Sequence, residues 1–130
     1  MEILDNKLKG YSISDCPTIR FSKRGGHVSF NTSCMNLLGL KTGDAIILVI
    51  DKKELYVTKV NGNTGFVISA KKSGSGYGTN SFNCKKLVTR VMTELEIDCT
   101  SVVIKVATQP TTIDGIQYYA LLHSTKITTP

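Results

Sequence analysis

The heptapeptide Leu38-Gly39-Leu40-Lys41-Thr42-Gly43-Asp44, set directly before the apolar run Ala45-Ile46-Ile47-Leu48-Val49-Ile50, constrains this chain more than any other stretch. Gly39 can close a helix in the left-handed conformation, Gly43 can turn the chain, and Asp44 can accept from backbone amides of that turn. Leu38 and Leu40 are candidate buried anchors. The apolar run is far too short to span a membrane, and its lack of polar interruption predicts a strand covered on both faces. A short helix must therefore end, turn and feed a β strand.

The flanking residues extend this plan. Residues 1–18 are mixed: Met1 to Leu4 reads as an edge strand or a frayed tail, and Asp15-Cys16-Pro17 as a loop. Ile19-Arg20-Phe21 and Val28-Ser29-Phe30 alternate apolar and polar, as half-buried strands do. Between them Lys23-Arg24-Gly25-Gly26 is a basic turn with two residues free to take positive φ. Asn31 or Thr32 is the candidate cap of a short helix whose apolar face is Met35, Leu37, Leu38 and Leu40. After the apolar run, Asp51-Lys52-Lys53-Glu54 is a polar turn and Leu55 to Val60 the partner strand.

Asn61 to Gly65 is a strong breaker. Beyond it the plan returns more loosely. Phe66 to Ala70 reads as a strand, Lys71 to Ser81 as a Gly/Ser-rich basic loop, and Ser81-Phe82-Asn83 echoes Ser29-Phe30-Asn31. Cys84 to Glu96 has helical spacing, with Leu87, Val88, Val91, Met92 and Leu95 on one face. Leu95-Glu96-Ile97-Asp98 stands where Leu38-Gly39-Leu40-Lys41 stood, and Val102 to Val106 matches Ala45 to Val49. Thr111 to Gly115 is a turn, and Ile116 to Leu122 matches Glu54 to Val60. The shared order of elements predicts an internal duplication, with halves 19–60 and 66–122 sharing one core in a single domain over 1–130. Neither half alone could bury enough surface to fold.

Residues 19–60 resemble the AbrB/MazE/SpoVT family of swapped-hairpin β-barrels. The resemblance rests on Ile19-Arg20 at the strand start, on Gly26-His27-Val28 at the family's Gly-Arg-Val position, and on Phe30-Asn31 at its Ile-Pro position. Leu38 to Asp44 fits the L-G-L-x-x-G-D element throughout. Asn31 replaces the proline, His27 the arginine, and Lys23 stands at the usual acidic position. The second half has Thr100-Ser101 in place of the Gly-Asp hinge. The resemblance implies a β-rich α+β fold, a duplicated AbrB-like swapped-hairpin barrel with two short helices. Two chains exchange hairpins in the family; here both halves lie in one chain, as a monomeric pseudo-dimer or a homodimer. It also implies contact with double-stranded DNA through strands and loops at the barrel face.

Charge agrees with such a partner. The chain carries a formal net charge of +6 and a pI near 9.2, which permits a polyanion and equally describes a soluble protein with surplus lysine. The first candidate site is Arg20, Lys23, Arg24 and His27, where guanidinium forks can engage phosphate or a guanine edge. The second is Lys71 and Lys72 with the glycine-rich loop and Tyr77, which the pseudo-symmetric arrangement would set beside the first to form one positive face. Lys85, Lys86 and Arg90 read as the solvent side of an amphipathic helix. His27 and His123 lie far apart, and no hydrolase, zinc-protease or paired-carboxylate pattern occurs, so no enzyme activity and no cofactor are expected. Cys16, Cys34, Cys84 and Cys99 form no C-x-x-C pair, which points to reduced thiols in a cytoplasmic protein with no metal site. No secretory signal or membrane span is expected. The expected function is DNA binding as a transcription regulator or antitoxin-like factor. The alternative is a non-catalytic protein-interaction or assembly module, phage or mobile-element encoded.

Overall fold

A computed structural model describes residues 16–61, 63–72 and 78–129. The elements run β1 (Thr18–Ser22), a 3-10 turn (Arg24–Gly26), β2 (His27–Phe30), α1 (Thr32–Leu38), β3 (Ala45–Asp51), β4 (Glu54–Val60), β5 (Phe66–Val67) and β6 (Ser69–Lys72). They continue as β7 (Gly78–Asn83), α2 (Lys85–Glu94), β8 (Ser101–Val106), β9 (Thr111–Ile113) and β10 (Ile116–Thr129). The Met1 to Leu4 expectation, and Gly74, Gly76 and Tyr77, lie outside the described residues.

The strands form one antiparallel sheet in the order β5-β3-β4-β10-β8-β1-β2-β7-β6, with β9 hairpinned onto β10. The first and last members of that order, β5 and β6, follow one another in the chain with Ile68 alone between them. The sheet is thereby nearly closed into a barrel by chain continuity. Ile68 is fully buried, its N–H donates to Asp44 O at 2.9 Å, and its carbonyl accepts from Gly43 N–H at 2.8 Å. Long-range pairings dominate: β1 pairs β8, β3 pairs β5, β2 pairs β7 and β4 pairs β10.

Side chains of alternate parity fill the interior. Ile19, Phe21 and Val28 face inward beside Ile104, Val57 and Leu121, all at or near zero exposure. Phe82 stacks on Phe66 at 4.8 Å between centroids and tilts against Phe30 at 6.0 Å, tying β7 to β5 and β2. Burial of each such side chain contributes on the order of 2 kcal/mol. The helices add Cys34, Met35 and Leu38 from α1 and Val88, Val91 and Met92 from α2.

Local chemistry explains the junctions. Asn31 caps α1, its Oδ1 accepting from Cys34 N–H at 2.9 Å and from Thr18 N–H at 3.0 Å, while its Nδ2 donates to Cys16 O at 2.6 Å. One side chain thus satisfies an orphan helix donor and fastens the start of β1. Gly39 ends the helix at φ 64. Asp44 accepts from Lys41 N–H at 2.9 Å, as its place in the turn predicts. Lys59 joins the same corner, 3.3 Å from Asp44 Oδ2, and donates to Gly39 O at 3.2 Å, a cation at a helix C-terminus.

Several expectations need correction. The run Ala45 to Ile50 is covered at Ala45 and Ile46, half-buried from Ile47 to Val49, and exposed at Ile50, because β5 borders β3 at its first two residues alone. The Phe66 to Ala70 strand is divided at Ile68 into β5 and β6, one at each end of the sheet order. The stretch Lys71 to Ser81 is not a continuous loop: Lys71 and Lys72 belong to β6 and Gly78 onward to β7. The turn in Thr111 to Gly115 narrows to Asp114 and Gly115, both at positive φ, with Thr111 to Ile113 as strand. The echo of Asn31 in Asn83 does not extend to capping: Cys84 is the N-cap of α2, with no side-chain cap bond.

Candidate nucleic-acid interface

The β1–β2 hairpin presents its cations by alternation. Ile19 and Phe21 enter the core, so Arg20 between them points outward and is exposed; Val28 and Phe30 enter from β2, leaving His27 and Ser29 outside. The register places Arg20 between Val103 of β8 and Ser29 of β2, and Ser22 between Ser101 and His27. Arg20 Nη2 reaches Ser101 Oγ at 3.5 Å, which orients the guanidinium loosely along the outer face. His27 Nδ1 lies 2.9 Å from Asn83 Oδ1, a geometry in which the ring N–H donates across β2 and β7.

Lys23 and Arg24 stand at the hairpin tip, both exposed. Gly25 and Gly26 take φ 71 and 62, and this left-handed backbone closes the tip, where Gly26 N–H reaches Lys23 O at 3.3 Å. Gly26 also lets a second element approach. Its carbonyl accepts from Cys84 N–H at 2.8 Å, and a Cβ placed on it would lie 2.5 Å from Lys85 N. The first turn of α2 is therefore seated on the hairpin tip. Lys85 and Lys86, both exposed, join Lys23 and Arg24 in one basic cluster. The described ion pair that reaches this cluster is Lys23 with Asp98 at 4.0 Å, between side chains open to solvent. Such a pair neutralises little.

Sequence spacing hid this grouping, because Gly26 and Lys85 are distant in the chain and the lysines match an ordinary solvated helix face. The glycine pair was the available signal, since a second glycine at a turn often marks close backbone approach. Arg90 is committed elsewhere, bonded to Glu94 at 2.9 Å one helical turn on.

Lys71 and Lys72 do not stand beside this cluster as expected. In β6 they pair with Thr79 and Gly78, whereas His27 pairs with Asn83 at the other end of β7. The two basic stretches are separated by about 13 Å along the strands and by about 10 Å across them. The antiparallel β2–β7 pairing is the reason, because it sends the β1–β2 turn and the β6–β7 connection to opposite ends of the ladder.

The thiols are dispersed. Cys34 is buried, and desolvation pushes its pKa up to about 12, which keeps it a neutral thiol. Cys16, Cys84 and Cys99 are half-buried. Among the described residues no three His, Cys, Asp or Glu side chains are gathered as metal ligands, and no helix is long and apolar enough to cross a membrane.

No protein-family model, no curated protein and no solved structure matches the chain.

Proposed function

We propose that this chain is a double-stranded-DNA-binding protein, a transcription regulator or antitoxin-like factor, built as a duplicated AbrB-like swapped-hairpin barrel in one chain. The observation that carries the reading is the cluster of Lys23, Arg24, Lys85 and Lys86, formed where α2 seats on Gly26, with Arg20 and His27 along the adjoining face. A fixed turn bearing exposed cations holds register on a phosphate backbone, and base readout would fall to Arg20 on the sheet face. Lys71 and Lys72 then contribute a second contact point.

The duplication draws support from the pairing pattern. Strands of the first half pair with strands of the second: β2 and β4 with the strands that match them, β7 and β10, while β1 pairs β8, the match of β3, and β3 pairs β5, which stands where β1 stood. That exchange is what two half-barrels sharing one core require.

Replacing Lys23, Arg24, Lys85 and Lys86 together by alanine tests the assignment in a binding assay with a random-sequence duplex. The reading predicts a loss of at least tenfold in affinity at low salt. Unchanged affinity would remove the cluster from the interface. The alternative, a non-catalytic interaction or assembly module, is favoured by a different observation: the opposite outer face of the barrel is apolar.

A further inference from the structure

The barrel has two unlike outer faces. Around β1 and β2 it presents Arg20, Ser22, His27 and Ser29. Around β3, β4 and β10 it presents Ile47, Val49, Tyr56, Tyr118 and Ala120, all partly open to solvent. Val49 lies opposite Tyr56, Tyr56 opposite Ala120, and the Tyr56 and Tyr118 rings meet edge to face at 6.3 Å.

One edge of β3 borders the same face. β4 pairs with β3 along its whole length, from Ala45/Val60 to Asp51/Glu54, without a bulge. On the other side β5 pairs with Ala45 and Ile46 alone. The hairpin turn is the two residues Lys52 and Lys53, at φ 50 and 68, so Asp51 and Glu54 form a hydrogen-bonded pair. Alternation then fixes every other group. Asp51, Val49, Ile47 and Ala45 direct N–H and C=O toward β4, while Ile46, Leu48 and Ile50 direct theirs away. Ile46 meets Phe66 of β5; Leu48 and Ile50 meet no strand among the described residues. From Ile47 to Ile50 this open edge has no lysine, no proline and no bulge, three of the devices that discourage pairing.

We infer that a second copy of this chain pairs here, β3 antiparallel to β3 about a two-fold axis through Val49. A strand pairing with itself antiparallel is self-complementary by symmetry, and the pattern of free groups selects the centre. With Val49 on the axis, Leu48 faces Ile50 of the second copy and Ile50 faces its Leu48. Both residues of each chain then exchange N–H···O bonds. Centring on Leu48 would instead set Ile50 against Ile46, whose groups β5 already occupies. At the axis the two Val49 residues form a non-hydrogen-bonded pair, the type in which side chains approach closest; Tyr56, opposite Val49 on β4, borders that contact, and Ile47 faces Asp51 of the second copy. The pairing leaves the basic face of the barrel uncovered.

Sedimentation equilibrium from micromolar to near-millimolar protein, with residue-resolved amide exchange at both ends of the range, tests the inference. The expected result is a monomer–dimer equilibrium in which the Leu48 and Ile50 amides slow by about tenfold or more at high concentration. The Val49 and Asp51 amides, already bonded to β4, change little. Val49→Lys and Val49→Glu should each give monomers, because like charges would meet on the axis, and mixing the two should restore a dimer. A wild-type chain that stays monomeric throughout overturns the inference. So does a dimer in which Leu48 and Ile50 exchange at the monomer rate. The exchange measurement uses the unaltered chain, so it decides the matter even where a Val49 variant misfolds.

Discussion

Glu96 stands to Met92 and Ile97 as Gly39 stands to Met35 and Leu40. Both residues are left-handed, at φ 54 and 64. Leu40 N–H reaches back to Met35 O and Ile97 N–H to Met92 O, each at 2.8 Å. Gly39 N–H and Glu96 N–H likewise reach Asn36 O and Thr93 O, each at 3.2 Å. The two helices leave by one route, with glycine at the bend in one case and glutamate in the other.

A β-carbon in that conformation costs about 1 kcal/mol or more, and the same geometry predicts opposite effects at the two bends. Nothing lies within 4 Å of a Cβ built on Gly39, so Gly39→Ala is expected to destabilise by about 1 kcal/mol through the backbone alone. Glu96→Gly is expected to stabilise by a similar or smaller amount, roughly 0.5–1 kcal/mol. Urea unfolding of both variants beside the parent checks the sign of each.

The hairpin tip separates two costs that glycine can avoid. Gly25→Ala meets no atom within 4 Å and should lose about 1 kcal/mol from its positive φ. Gly26→Ala meets Lys85 N at 2.5 Å and Cys84 C at 2.8 Å, which are backbone atoms that cannot rotate aside. It must push α2 off the turn, and a loss of about 3 kcal/mol or more is expected. Thermal melts of the two variants should differ by several degrees; equal melting would mean that α2 does not dock there.

Two polar side chains set a second contrast. Asn31 serves three backbone groups, so Asn31→Ala should cost about 2 kcal/mol as the cap and the β1 anchor are lost together. Ser81 is 1% exposed and its Oγ has no hydrogen-bond partner among the described residues. Ser81→Ala removes a desolvated group without a bond to lose, and stability should hold or rise by up to about 1 kcal/mol. Equilibrium unfolding of each, against the parent, gives the comparison.

Titration should shape stability at both extremes of pH. The Lys41 backbone N–H, with help from Lys59, holds the Asp44 carboxyl below its ordinary 3.8. A depressed folded-state pKa contributes stability that is present above 3.8 and lost as pH falls through the folded value. Asp44→Asn should therefore flatten the acid limb of the pH–stability curve. Burial raises Cys34 from 9.0 to about 12, so its contribution is full below pH 9 and lost as pH rises toward 12. Cys34→Ala should weaken the alkaline limb, and Cys34 should react with a thiol reagent near neutral pH only after unfolding.

The local grammar of the chain is legible in its sequence. Gly39 as helix end, Asp44 on the turn amide and the positive φ of Gly25 and Gly26 all follow from residue type at a junction, and the cap falls on Asn31, one of the two candidates Asn31 and Thr32. Strand alternation likewise placed Ile19, Phe21, Val28 and Phe30 inside. What escaped depends on tertiary context. Lys52 and Lys53 take left-handed conformations that their type disfavours, because a hairpin of fixed register needs a primed turn there. Ile68 divides what reads as one strand, since its neighbours belong to opposite ends of the sheet. The partnership of Lys85 with the hairpin tip, and the distance of Lys71 and Lys72 from it, are set by the β2–β7 register, which no single segment encodes.

Fluorescence anisotropy of a labelled random-sequence duplex, titrated with this protein at several salt concentrations, tests the central proposal most directly. Four or more cations on phosphates predict that log K falls against log salt with a slope of about −4 or steeper. Neutralising Lys23 and Arg24 should then flatten the slope by about two units. A chain that leaves the duplex unbound at the lowest salt, or binds it with no salt dependence, would contradict the account and move the function of the barrel to assembly.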